Sequence, residues 1–124
     1  MLLVIALIAW PASARGKCPL PAPPCESLRK ADLVFYGEVL SATRPQHGSQ
    51  TVTFRVVRSF KGAPEGRLTG TFRVTSTGLY FVQGERRVVY ASGRAGRWST
   101  DCARTALLLR AADQEVEDLA SCGK

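Results

Sequence analysis

The sequence predicts a mainly β domain: five short, twisted strands curled into a small barrel, then a C-terminal helix, with cysteines stapling both ends. Three observations carry that expectation. Short segments alternate apolar and polar residues with a period of two, as half-buried strands do. After Cys102 the apolar spacing changes to that of a helix. The four cysteines (Cys18, Cys25, Cys102 and Cys122) sit as two at the start and two at the end.

Segment Lys17–Pro24 has four prolines in eight residues, so an extended, solvent-facing run without regular hydrogen bonding is expected. Cys25–Ala31 permits one or two helical turns. Leu33–Leu40 (LVFYGEVL) is β-branched and aromatic with apolar residues on both faces, a strand buried on one side and half covered on the other. Gly37 in its interior marks a bulge or sharp bend.

Arg44–Gln50 reads as a polar loop. In Thr51–Phe60, Val52, Phe54 and Val56 alternate with Thr51, Thr53 and Arg55. The alternation breaks at Val57-Arg58, as a bulge or a strand end, and Phe60 resumes the apolar face. Lys61–Gly66 is a turn by composition. In Arg67–Thr75, Leu68, Phe72 and Val74 point in, while Arg67, Thr69, Thr71, Arg73 and Thr75 point out.

Ser76–Gln83 is an irregular connection, and Gly84-Glu85 turns the chain into Arg86–Ala91. Arg97–Thr100 is a short last strand. Leu109, Ala112, Val116 and Leu119 share one helical face, with Asp113, Glu117 and Asp118 off it, and Cys122-Gly123 ends the helix. Together these elements fit a small, five-stranded, partly closed Greek-key barrel of the OB type, with a sandwich as the alternative.

A chain of 124 residues is one domain with one core, too short for a large α/β enzyme fold or a multi-span membrane protein. The first fourteen residues carry no charged side chain. Their apolar run Met1–Trp10 is too short for a bilayer-spanning helix, which needs about 20 residues. Ala12-Ser13-Ala14 suits signal-peptidase cleavage after Ala14. Residues 1–14 are therefore expected to be a removed signal peptide and 15–124 the mature domain, exported to the periplasm or beyond with no membrane span. Arg15-Gly16-Lys17 before Cys18 does not suit lipid modification.

The four cysteines allow three pairings. An end-to-end bridge would close a loop of some 80–100 residues, stabilising by about 4.5 kcal/mol in the chain-entropy account. Against a marginal stability of roughly 5–15 kcal/mol, that matters. A four-cysteine zinc site fits poorly: paired CxxC knuckles are missing, and the spacings are 7 and 20.

Catalytic signatures are weak. The single histidine, His47, lies in a Pro/Gly-flanked loop and reads as a solvated residue. No GxSxG turn, HExxH helix or glycine-rich phosphate loop occurs. Five of the ten acids (Asp101, Asp113, Glu115, Glu117 and Asp118) lie in or near the last helix, where a solvated face is expected. The reading is a non-enzyme without a cofactor or metal.

The formal charge is +7. Arg55, Arg67 and Arg73 point outward from neighbouring strands, and Arg86, Arg87, Arg94, Arg97, Arg104 and Arg110 cluster later. A patch around Arg86, Arg87, Arg94 and Arg97 could hold a polyanion. Export removes the chain from most nucleic acid, which makes an acidic polysaccharide the better candidate.

Four blocks, Ala31–Leu40, Thr51–Gly62, Gly84–Ala91 and Ser99–Leu109, resemble in order and spacing the netrin-like domain, in particular bacterial proteins similar to tissue inhibitors of metalloproteinases. The resemblance covers nearly all of the mature chain. It implies a secreted OB-type barrel, stapled at its N-terminus, that acts by binding protein partners, a metalloprotease among them.

Those inhibitors begin with Cys-x-Cys, and the first cysteine chelates the protease zinc through its free amine and carbonyl. Here Cys18 matches the second of that pair and Gly16 stands at the chelating position. The expected partner of the missing cysteine falls at Thr77-Gly78, also without one. On this alignment the resemblance implies Cys18–Cys102 and Cys25–Cys122 bridges. If Cys18 instead matches the first cysteine, three residues still precede it after cleavage. The proline-rich ridge Lys17–Pro24 is the expected contact edge, with Lys17, Cys18, Pro19, Leu20 and Pro21 as its contact residues, because a pre-ordered segment costs little entropy to dock; Arg44–Gln50 and Ser76–Gln83 flank it.

Overall fold

The structure, a computed structural model, describes residues 22–73, 80–100 and 112–122. Helix α1 spans Pro24–Lys30. The strands are β1 (Leu33–Ala42), β2 (Ser49–Lys61), β3 (Gly66–Arg73), β4 (Arg86–Arg94) and β5 (Arg97–Ser99). Helix α2 spans Ala112–Ala120. The expected leader, the ridge residues Lys17–Pro21, Cys18 and Cys102, and positions Val74, Thr75, Asp101, Arg104, Leu109 and Arg110 lie outside the described residues. Among the described residues no helix is long and apolar enough to cross a membrane.

The strands close into a barrel in the order β1-β2-β3-β5-β4, with β4 returning to β1. All neighbours are antiparallel except β3 and β5. This arrangement is consistent with an OB-type Greek key. Closure leaves no long unpaired edge.

The break in alternation at Val57 is a bulge, not a strand end. Tyr36 pairs with Arg58 and Gly37 with Val56, so Val57 is skipped and stands 46% exposed. A second register shift, between Val34 and Phe35, skips Phe60. Phe60 therefore does not resume the interior face, as simple alternation would have it. It packs on the outer cluster with Tyr36 and Val34, because an extra residue in a ladder breaks the two-residue parity.

The barrel interior is a phenylalanine-rich core. Phe35, Phe54, Phe72 and Phe81 are buried and meet edge to face, surrounded by Leu33, Val39, Val52, Val56 and Val89. Phe81 belongs to no strand. Gln50 holds it there: the Gln50 amide donates to the carbonyls of Thr43 and Phe81, and its oxygen accepts from the Phe81 N–H at 2.7 Å. Gln50 is 3% exposed and lies in β2, not in a polar loop as expected. Its burial is tolerable because every one of these bonds is made inside the barrel.

A second cluster lies outside the wall. Val34, Val88 and Tyr90 point away from the interior and are covered by Ala31, Leu28, Val116 and Leu119. Strands β1 and β4 are thus buried on both faces. Lys61 reaches back to the carbonyls of Leu28 and Arg29 and satisfies the last turn of α1. Pro24 is not part of an extended run but opens α1 at its first position, where its missing N–H costs nothing.

The Cys25–Cys122 bridge joins α1 to the end of α2 across 97 residues of sequence, with Cα atoms 5.5 Å apart. Glu115 corrects the expectation of a solvated acidic face. It is 3% exposed and accepts a short hydrogen bond from the Tyr90 hydroxyl. The face of α2 turned to the barrel carries this carboxylate beside Leu119, while Asp113 and Glu117 remain exposed. Tyr90→Phe is expected to lower stability by about 2 kcal/mol, since it strips a donor from a buried carboxylate. Chemical denaturation of the variant measures this.

Candidate functional site

The four arginines assigned to a polyanion patch do not form one cluster: Arg94 and Arg97 are cross-strand partners, and Arg86 and Arg87 stand apart from them. Arg86 and Arg94 are the first and last residues of β4, about 26 Å apart at the usual strand rise. Arg87 leaves the set altogether. It is 4% exposed, its guanidinium donates to Glu85 at 3.0 Å and lies over the Phe81 ring at 5.7 Å. Strand alternation turns Arg87 to the opposite face from Arg86, and β4 is covered on both faces. Burial with a carboxylate and a ring makes Arg87 structural.

Arg86 lies opposite Glu38 on β1. Glu38 accepts a hydrogen bond from Arg55 at 2.8 Å. That bond, with the charges of Arg55 and Arg86, holds the Glu38 carboxyl below the ordinary glutamate range against an opposing effect of desolvation. Because the folded carboxyl titrates lower than the unfolded one, the interaction is complete above the ordinary glutamate range. It fades as pH falls through the lower, folded value. An NMR titration should find the Glu38 midpoint low, and Arg55→Gln should move it upward.

The partly buried acids are all engaged. Glu38 is tied to Arg55, and Glu115 to Tyr90. Glu85 accepts from the Val82 N–H and from Arg87. His47 stands exposed at the tip of the β1–β2 connection. This connection is a two-residue hairpin: Gln46 and Ser49 exchange both backbone hydrogen bonds, and His47 and Gly48 have φ of 52° and 75°. Two successive positive φ values are the type I′ geometry that matches strand twist. Glycine at the second position removes half the steric cost.

Three other described arginines, Arg44, Arg73 and Arg97, lie where the β1–β2 and β4–β5 hairpins flank the outer wall of β3. Two adjoining concavities lie there, about 390 Å³ and 570 Å³, sharing Ser49 and Thr71. Arg44 and His47 line the first; Arg73 and Arg97 line the second. No Asp or Glu is among the described residues lining either. Arg97 pairs with Thr71 on one side and with Arg94 on the other.

Two glycines make this wall possible. A Cβ on Gly93 (φ 143°) would meet the Arg97 carbonyl oxygen at 2.2 Å, and one on Gly70 would meet the Trp98 indole at 3.0 Å. Gly93 thus lets β5 lie close to β4, and Gly70 lets the Trp98 ring lie over β3. The Trp98 Nε1 is buried without a hydrogen-bond partner among the described residues.

The sequence places Arg94 and Arg97 in one set but gives no sign of Arg44 and His47, which line the concavity adjoining that of Arg97. The signal was weak: the two stretches are joined only by barrel closure. No protein-family model matches the chain, and no curated protein matches it.

Proposed function

We propose that the chain is an exported, non-enzymatic interaction module similar in role to the tissue inhibitors of metalloproteinases. It would dock a periplasmic or extracellular protein, a metalloprotease first among candidates. The contact edge is Lys17, Cys18, Pro19, Leu20 and Pro21, the segment that leads into α1. The observation that carries this reading is the Cys25–Cys122 bridge. A disulfide favours an oxidising compartment, and this one anchors the helix that immediately follows the proline-rich segment. A proline-rich segment, whose rings fix φ, loses little entropy on docking.

The engagement of Glu38, Glu85 and Glu115 in internal pairs supports binding rather than catalysis. With Gly16 where the inhibitors carry their zinc-chelating cysteine, contact is by surface complementarity and not by metal capture. The test is a titration of the purified, exported chain against a panel of secreted metalloproteases. At least one should be slowed, and Leu20→Asp should weaken that effect about tenfold, as for an anchor residue. Flat protease activity up to high micromolar chain overturns the reading.

A further inference from the structure

The arginine-flanked groove lies away from the outer faces of β1 and β4, on which α1 and α2 pack, and it goes beyond the protein-docking reading. Among the described residues its charge is one-sided. Arg94 and Arg97 lie directly opposite each other across the β4–β5 hairpin, and like charges so placed repel. The other such pair, Arg55 and Arg67, is compensated, because Arg55 is paired with Glu38. Arg94, Arg97 and Arg44 have no carboxylate partner among the described residues. A repulsive pair beside a groove with no acid among its described lining residues is a site whose charge an anion would complete.

The rest of the lining says what kind of anion. Ser49, Thr71 and Ser92 present hydroxyls along the groove between the charges. Among the described lining residues Trp98 carries the large aromatic ring, which is spent on packing against Gly70 and the core, and the smaller imidazole of His47 is the exposed one. Bases would need exposed aromatic faces on which to stack. A chain of hydroxylated rings bearing spaced acidic groups needs hydroxyls alternating with cations. Barrels of this strand order bind oligosaccharides or oligonucleotides on this face, between these two hairpins, and the hydroxyl-rich lining favours the former.

We propose that the groove between the β1–β2 and β4–β5 hairpins binds an acidic oligosaccharide. Arg94, Arg97 and Arg44 meet its carboxylate or sulfate groups, and Ser49, Thr71 and Ser92 meet its ring hydroxyls. The anion site is thereby placed away from Arg86 and Arg87.

The test uses the full chain with its bridges intact and four probes: a sulfated hexasaccharide, a hexagalacturonate, neutral maltohexaose and hexathymidylate. Calorimetric titration over a salt series should show binding of at least one acidic sugar and none of maltohexaose. Arg94→Ser/Arg97→Ser should weaken that binding about tenfold or more and reduce the log–log salt slope by about 2. The charge-matched Arg58→Ser/Arg86→Ser variant should leave affinity within about twofold, a residual long-range effect of net charge.

Amide shift mapping on the unaltered chain gives a readout independent of variant folding, with the largest changes expected at Ser49, Thr71 and Ser92. Equal weakening by the two double variants would reduce the effect to diffuse charge and overturn the proposal. So would shifts centred elsewhere, tighter binding of hexathymidylate than of either acidic sugar, or no binding of either acidic sugar.

Discussion

Phe54→Ala is expected to lower the unfolding free energy by about 4 kcal/mol. Phe54 is fully buried and stands at the centre of the ring cluster. Its centroid lies 4.9 Å from that of Phe35, 5.4 Å from Phe72 and 5.2 Å from Phe81, each edge to face. Truncation removes the transfer energy of the ring, leaves a cavity in a closed barrel that cannot collapse easily, and cancels three aromatic contacts. Since domains of this size carry roughly 5–15 kcal/mol in all, the loss is a large share. Urea denaturation measures it. On the same strand, Val57→Ala at the exposed bulge should change stability by no more than about 0.5 kcal/mol. A loss under about 2 kcal/mol at Phe54 would mean that the neighbouring rings close the hole.

Removing the staple should cost a similar amount. Cys25→Ser/Cys122→Ser opens a loop of 97 residues, and the chain-entropy account puts the loss at about 4.5 kcal/mol. For a chain of this length that lowers the melting midpoint by about 15 °C, which calorimetry reads directly. The loss should not fall evenly. Helices α1 and α2 have seven and nine residues, too short to persist without packing. They rest on the outer cluster of Val34, Val88, Tyr90 and Leu119. Amides of α1 and α2 should therefore exchange faster in the variant, while Val52 and Phe54 in the barrel keep most of their protection. An unchanged midpoint would assign the anchoring of the helices to that apolar contact alone.

Much of the wall was legible in the residues themselves. Alternation over Val52, Phe54 and Val56 is a local property, and these side chains do face the interior. The break at Val57 showed as a broken period and is a bulge. The stripe Val116–Leu119 placed α2 against the barrel, and the Cys25–Cys122 pairing implied by the resemblance is present. Cys18–Cys102 lies outside the described residues.

Polar residues were the harder part. Gln50 looked like loop, Arg87 like surface cation and Glu115 like solvated acid, yet each is buried. Two of their partners are distant in sequence: Phe81 for Gln50 and Tyr90 for Glu115. A buried polar group is stable only when its partner is in place, and no local pattern announces a partner 31 or 25 residues away.

The amino-acid order by itself thus determined the strands, the change to helical period, and the class of domain, because periodicity and turn chemistry act over a few residues. Tertiary structure alone decided which charges are internal and which are available. Barrel closure brought Ser49 and Arg73 on β2 and β3 beside Arg97 on β5, and separated Arg86 from Arg94 by the length of a strand. Charge is a property of the residue, but its availability depends on what the fold packs against it.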